Sequence, residues 1–291
     1  MKIGVEAFIT ESSIDPAAFA KLAEGLGFES FFLPEHPIIP VVTKSRYPAS
    51  PDGKMPEGLA HFIDPFIGLA LAAAATTRIG LGTGICLVPE HDPINLAKTI
   101  ATLDHYSGGR FFFGIGAGWL AEESAIMGVD FKRRWPMTRE YIRAMKELWT
   151  QPEASFAGEF VNFPAVKCYP KPARKPHPPI FIGAGGMGPA MERGLRDTVA
   201  LGDGWAPLSL PPDELARQLS KLKQMCADAG RDFAKLEITM HVPRLDDEPR
   251  RTIDRYQEAG AHRLIFILDS PTPNQYERQL ADLAKVWIDH S

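Results

Sequence analysis

The stretch 110-RFFFGIGAGWLAEE-123 decides how the rest of the chain is read. An apolar run breaks into glycines and then turns acidic. Gly116, Gly118 and Ala121 fit G-x-G-x-x-A, the form of a dinucleotide-binding turn between strand and helix. That reading requires an acidic residue about 20 positions on, closing a second strand. The chain there reads RRWPMTREYIRAMKELW, which is helical. The unit is also the fourth along the chain, not the first, so the context rejects a Rossmann turn. Two readings of Gly114, Gly116 and Gly118 are left: backbone approach to a flat ligand at a strand's end, or close strand packing alone.

Outward from this stretch, one device recurs. Asp15-Pro16, Asp64-Pro65 and Asp92-Pro93 each place an N-cap carboxylate before a proline suited to the first helical position. Helical patterns follow them: AAFAKLAEGLG, FIGLALAAAATT and INLAKTIATLDHYSGG. Short apolar strands follow those helices, FESFFL (28–33), RIGLGTG (78–84) and RFFFGIG (110–116), and the chain opens on KIGVEAF (2–8). Further strands are expected at PIFIGA (179–184), the DTVALGDGWAP region (197–207), LEITMHV (236–242) and HRLIFIL (262–268). Helical patterns near 138–150, 189–196, 212–229, 249–259 and 274–288 separate them. Strict β–α alternation demands parallel strands, and eight units in this length favour a closed (β/α)8 TIM barrel over an open sheet. No low-complexity linker divides residues 1–291, so one domain is expected, with insertions near 34–63 and 151–178.

The composition is that of a globular protein, 45% hydrophobic and 23% charged. A net charge of −4 argues against nucleic acid or an anionic membrane surface as the main partner. The opening MKIGVEAFITE turns polar too early for a secretory signal. The most hydrophobic stretch, 65–84, is broken by Thr76, Thr77 and Arg78 and reads as helix then strand, not a membrane span. Cys86, Cys168 and Cys226 have no metal-like spacing and cannot all pair, so buried thiols and a cytoplasmic location are expected.

Residues 34–63 form a long proline-punctuated connection at the C-terminal end of the second strand, where barrel enzymes keep their active sites. The second insertion, 151–178, contains a short strand around 160–163. The loop 183-GAGGMGPAMERG-194 follows an apolar strand and enters a helix at Pro189, which makes it an anion site fit for a cofactor phosphate. It lacks the Lys-Ser/Thr of a P-loop. The segment 82-GTGICLVPEHDP-93 suits a strained turn or bulge at a strand's end. Glu35-His36 stands directly after the second strand and is the candidate catalytic pair. His91 belongs to a loop and helix cap, and His105 to an outer helix surface. His36, His61, His91 and His241 show no metal-ligand spacing. No G-x-S-x-G elbow appears. Arg133-Arg134 reads as a solvated turn or as a contact to an acidic cofactor tail.

With these residues in hand, the sequence resembles the bacterial luciferase-like superfamily, and within it the coenzyme F420-dependent oxidoreductases. The likeness lies in 34-PEH-36, 78-RIGLGTGI-85, 97-AK…LD.YSGGRFFFGIGAGWLAEE-123, 180-IFIGAGG-186 and 202-GDGWAP-207. It implies a (β/α)8 barrel with a flavin-like ring across its C-terminal mouth. Gly84-Ile85 would form a non-prolyl cis peptide behind the ring. Ala117, Gly118 and Trp119 would line the ring or its ribityl chain. Ala184, Gly185, Gly186, Met187 and Gly188 would hold the phosphate. Glu35-His36 matches the position beside the ring's reactive edge, with His36 as proton donor or substrate orienter.

Family members that oxidise sugar phosphates carry a glutamate where this chain has Trp119, which argues against such a substrate. Glu122 and Glu123, one turn on, are candidates for that acid–base work, or for a salt bridge or helix start. The resemblance implies hydride transfer between coenzyme F420 and a small organic substrate. The alternative is an FMN-dependent monooxygenase using reduced flavin and oxygen; a third is a flavin-binding protein without turnover. Lys44, Arg46, Lys54, Arg133 and Arg134 would favour the acidic tail of a deazaflavin. A substrate pocket built by the 34–63 loop, Trp205 and His241 is expected, as are a homodimer and an NAD(P)H-dependent cofactor reductase as partners.

Overall fold

Asp15, Asp64 and Asp92 each accept a hydrogen bond from a backbone N–H in the first turn of the helix that follows, Ala18, Ile67, and both Ile94 and Asn95. The three Asp-Pro pairs thus start three helices as the sequence predicts. The computed structural model describes residues 1–288 except 49, 51, 185–188, 243–247 and 271. In chain order the elements are β1 (Lys2–Ala7), α1 (Pro16–Gly25), β2 (Ser30–Leu33), α2 (Pro65–Ala75), β3 (Gly80–Thr83), β4 (Cys86–Leu87), α3 (Pro93–Tyr106) and β5 (Phe111–Gly116). Then come α4 (Ala121–Ile126), α5 (Arg134–Thr150), β6 (Ala154–Ala157), β7 (Asn162–Val166), β8 (Ile180–Ile182), α6 (Pro189–Leu201) and β9 (Gly204–Trp205). The chain closes with α7 (Pro212–Asp228), β10 (Glu237–Val242), α8 (Pro249–Glu258), β11 (Arg263–Leu268) and α9 (Pro273–Ile288).

Nine of these strands form one parallel sheet in the order β3-β2-β1-β11-β10-β9-β8-β5-β4, and β3 also pairs with β5, which closes the barrel. β3 and β4 are one barrel stave interrupted at residues 84–85, so eight staves alternate with helices as predicted. One boundary differs. The 197–201 part of the expected sixth strand is the end of α6, and the strand itself is only Gly204–Trp205. A short apolar run such as TVAL fits a buried helix as well as a strand. The second insertion forms the antiparallel hairpin β6–β7, tied to α5 where the Glu140 carboxylate accepts the N–H groups of Phe160 and Val161.

The barrel interior is filled in layers. At the N-terminal end the fully buried Arg263 donates to both oxygens of Glu29 at 2.7 and 2.8 Å and to Glu237, with its guanidinium 4.5 Å from the Phe112 ring centre. Above it lie Phe32, Phe112 and Phe181 with Ala206 and Ile265. The glycines of RIGLGTG make room for these rings: a Cβ at Gly80 would lie 2.4 Å from Phe112, and one at Gly82 2.2 Å from Phe32. The top layer, at the C-terminal mouth, is polar and belongs to the site.

Candidate active site

The mouth of the barrel opens into a cavity of about 2530 Å3. Its wall includes Gly84, Ile85, Ala117, Gly118, Gly183 and Ala184, six small or aliphatic residues from three strand ends. The Gly84-Ile85 peptide is cis, as the resemblance implies. The turn at residues 83–85 explains two glycines of the fourth unit. A Cβ at Gly116 would lie 2.0 Å from Ile85 Cδ1, and one at Gly114 2.0 Å from the Thr83 carbonyl oxygen. These two glycines serve close packing behind the cavity wall, not ligand approach. Gly118 alone adopts a left-handed backbone, with φ of +79°.

His36 lines the cavity and is tied from behind. Its Nδ1 lies 2.9 and 3.1 Å from the carboxylate oxygens of Glu123, a residue with no exposed surface. Rings of Trp119 and Phe62 flank the imidazole at 5.6 and 6.3 Å between centres. With Nδ1 engaged, Nε2 is the nitrogen left for a ligand. Glu123 lies in the first turn of α4, and the helix start and salt bridge are among the readings the acidic pair after Trp119 offered.

Glu35, grouped with His36 as catalytic, has a different role in the structure. It is buried; one oxygen accepts the Leu87 N–H at 2.6 Å and the other meets His91 Nε2 at 2.9 Å. Each oxygen helps to hold the 84–91 segment, and Glu35 also lines the cavity. Burial opposes a charge on His91, but the Glu35 hydrogen bond and charge outweigh it and hold the imidazole above its ordinary value. Ligand atoms of Glu35, Cys86 and His91 lie within 4.8 Å of one another, a grouping that linear spacing did not reveal. Burial, then the Glu35 carboxylate, push the Cys86 thiol well up, so the trio reads as a hydrogen-bonded anchor.

Across the cavity, His241 on β10 meets Glu6 on β1 at 2.6 Å, both side chains buried. Glu6 lies directly under the cis peptide, its carboxyl carbon 3.1 Å from where a Gly84 Cβ would sit. Tyr47 of the long loop faces this pair. Burial, with the charges of Glu6 and Asp269, raises its phenol above the usual value. Trp205, expected beside His241 in the pocket, is instead fully buried in the core, and its Nε1–H donates to the Ala184 carbonyl at 3.0 Å. It braces the entry to the glycine loop from below.

Of that loop, Ala184 lines the cavity, while Gly185, Gly186, Met187 and Gly188 lie outside the described residues. Two guanidinium groups stand at this end of the cavity. Arg193 projects from α6, and Arg134, held by the carbonyls of Gly118 and Phe131, comes from α5. Burial, then the charge of Arg193, lower the Arg134 value. Arg193 was not singled out in the sequence, because it lies a full helical turn beyond the glycines. Two of the other basic candidates are engaged elsewhere: Arg133 pairs with Glu159, and Arg46 donates to the Asp52 carbonyl at 2.7 Å.

The 34–63 loop covers one side of the mouth with Tyr47, Leu59 and Phe62. Glu122 pins it by accepting the N–H groups of Lys44 and Ser45 at 2.5 and 3.1 Å, and these bonds push its carboxyl down to about 2. His105 is exposed on α3, as expected, and all three cysteines are buried and free. Among the described residues no helix is long and apolar enough to cross a membrane.

The barrel is of the (β/α)8 class, and the chain belongs to the luciferase-like monooxygenase family, whose pattern matches residues 11–285. A Mycobacterium tuberculosis (strain ATCC 25618 / H37Rv) relative, "Uncharacterized protein Rv0953c", is 39% identical over 268 residues, covering 91% of each chain. The F420-dependent glucose-6-phosphate dehydrogenase of Kineococcus radiotolerans is 28% identical over 287 residues, covering 94% of this chain and 78% of the relative. Among solved structures, monooxygenase RslO1 from Streptomyces bottropensis superposes with a TM-score of 0.80 at 20% identity, over 100% of this chain and 99% of that one. Deazaflavin enzymes and monooxygenases thus both stand among the proteins this chain is similar to.

Proposed function

We propose that the chain is an oxidoreductase that transfers a hydride between coenzyme F420 and a small organic substrate. The observation that carries this reading is the His36–Glu123 pair at the wall of the cavity. Hydride transfer to or from a carbonyl or imine must be matched by a proton, and a buried carboxylate on Nδ1 makes His36 able to hold one at Nε2. Where the members that oxidise sugar phosphates carry a glutamate at the Trp119 position, this chain offers the Glu123 carboxylate one turn later.

The residues present fit the cofactor. Gly84, Ile85, Ala117, Gly118 and Ala184 leave a smooth cradle that larger side chains would obstruct. Gly185, Gly186, Met187 and Gly188, which precede α6 in the sequence, would hold the phosphate together with Arg193 and Arg134. When bound, the deazaflavin supplies a carbon centre that accepts or releases a hydride. The chain does the rest. Ile85 backs one face of the cradle, His36 moves the proton at Nε2, and Trp119, Phe62 and Tyr47 exclude water above the substrate. The Glu6–His241 pair orients a polar group of the substrate from below. The 28% relative named for F420 supports the reading, as does the fit of the cradle.

The FMN-dependent monooxygenase reading keeps one observation in its favour. Arg46 and Arg133, which would greet the acidic tail of a deazaflavin, are held by their own neighbours. We further infer a homodimer, supported by Ile67 and Leu71 exposed on α2, cytoplasmic residence, and an NAD(P)H-dependent reductase that renews the cofactor.

The test is the absorbance of F420 mixed with the protein and a panel of alcohols, enones and imines. Substrate-dependent bleaching or its reverse is expected, with His36→Ala lowering the rate about 100-fold or more while cofactor affinity stays within a few-fold. Oxygen consumption with reduced FMN, and none of these reactions with F420, would replace this reading by the monooxygenase one.

A further inference from the structure

Glu90 closes the short turn after β4 and is 7% exposed. Its Oε1 accepts the Ser124 hydroxyl at 2.9 Å, and its Oε2 is buried with no hydrogen-bond partner among the described residues. It stands behind the cavity wall: a Cβ at Gly118 would lie 3.4 Å from Oε1. With it, the cluster holds three carboxylates and two imidazoles. Glu35 is matched by His91, and Glu123 by His36. Among the described residues Glu90 has no cation of its own. A buried carboxylate without a counter-charge is driven to its neutral acid form.

We propose that Glu90 is the positioning residue of the His36–Glu123 pair, a neutral carboxylic acid whose ionisation sets how firmly His36 holds its proton. The inference rests on the reading of His36 as the proton-carrying group. Burial, then the charges of Glu123 and Glu35, push the Glu90 carboxyl up to about 7, against the Ser124 hydrogen bond and His91. The groups facing it are Glu35 after β2, His91 on its own connection, and Glu123 with Ser124 on α4. From α5, Arg134 is bonded to the Gly118 carbonyl. While Glu90 is neutral, passing the His36 proton to a substrate oxygen leaves one uncompensated negative charge in the cluster, on Glu123. Once Glu90 is ionised the same step leaves two, and His36 gives up its proton less readily.

The test needs no cofactor. Infrared spectra of the whole protein, with 13C-labelled glutamate to isolate glutamate carboxyls, are recorded across neutral pH. A carboxylic-acid C=O stretch that disappears as pH rises through about 7 is expected, and Glu90→Gln removes it. In Glu123→Gln the loss of the neighbouring carboxylate charge moves the midpoint of that band downward, by about half a unit or more for charges separated by one side chain. No such band in the wild-type protein would overturn the proposal, as would a band that Glu90→Gln leaves in place. So would a midpoint that Glu123→Gln does not move, because Glu90 would then not sense the pair. A failure of F420 to bind would leave all three readings intact, so the two proposals fail separately.

Discussion

At the residue scale, single atoms decide what the mouth of the barrel can be. Gly114 faces a backbone oxygen that cannot retreat, so even alanine is excluded there, whereas Gly116 faces the end of the Ile85 side chain. Of the two glycines that look like a cofactor signature, Gly116 is a packing position for Ile85, while Gly118 lines the cavity. Glu90 has a consequence for folding that is separate from catalysis. Its value is raised in the folded state, so between about 4.5 and about 7 the folded protein binds more protons than the unfolded chain. The stability tied to this group is full below that window and falls as pH rises through it. Glu90→Gln lacks the slope. Urea unfolding at about pH 5 and about pH 8 is expected to show the wild type losing about 2 kcal/mol more than the variant. Equal losses in both proteins would contradict this.

At the scale of elements, α4 and the 34–63 loop are one unit joined by Glu122. Its carboxyl is lowered, so its grip is present above the ordinary glutamate range and is lost only as pH falls towards about 2. Glu122→Ala removes the acceptor for Lys44 and Ser45. Trypsin is expected to cut at Lys44 and Arg46 several-fold faster in that variant, with the thermal midpoint little changed; an unaltered digestion rate would show that the aromatic contacts hold the loop alone. The helices that begin at Asp-Pro were legible because cap and first turn are adjacent in sequence. The loop was legible as functional by its length and place. α4 was legible only as one reading of its acidic pair, since its start at Leu120 carries no side-chain cap. The end of α6 was misread because an apolar run of a few residues has no period of its own.

At the scale of the molecule, the eight-fold count of strand and helix was readable because each unit is local. The pairs that make the site were not. His241 and Glu6 are 235 positions apart, and His36 and Glu123 are 87 apart. Only closure of the barrel brings them together. His36 was found from its place at a strand's end, while Glu35, its sequence neighbour, points to the 84–91 segment because adjacent side chains leave the backbone in different directions. Trp205 was assigned to the pocket by the same logic and is in the core, where its indole N–H braces Ala184. The central claim is that this mouth is built for a deazaflavin. Its most direct test is a fluorescence titration of cofactor-stripped protein with coenzyme F420 and, separately, with FMN. Binding of F420 at about micromolar or tighter, about 8 kcal/mol, with FMN at least tenfold weaker, is the predicted result. Preference for FMN, or binding of neither, would contradict it.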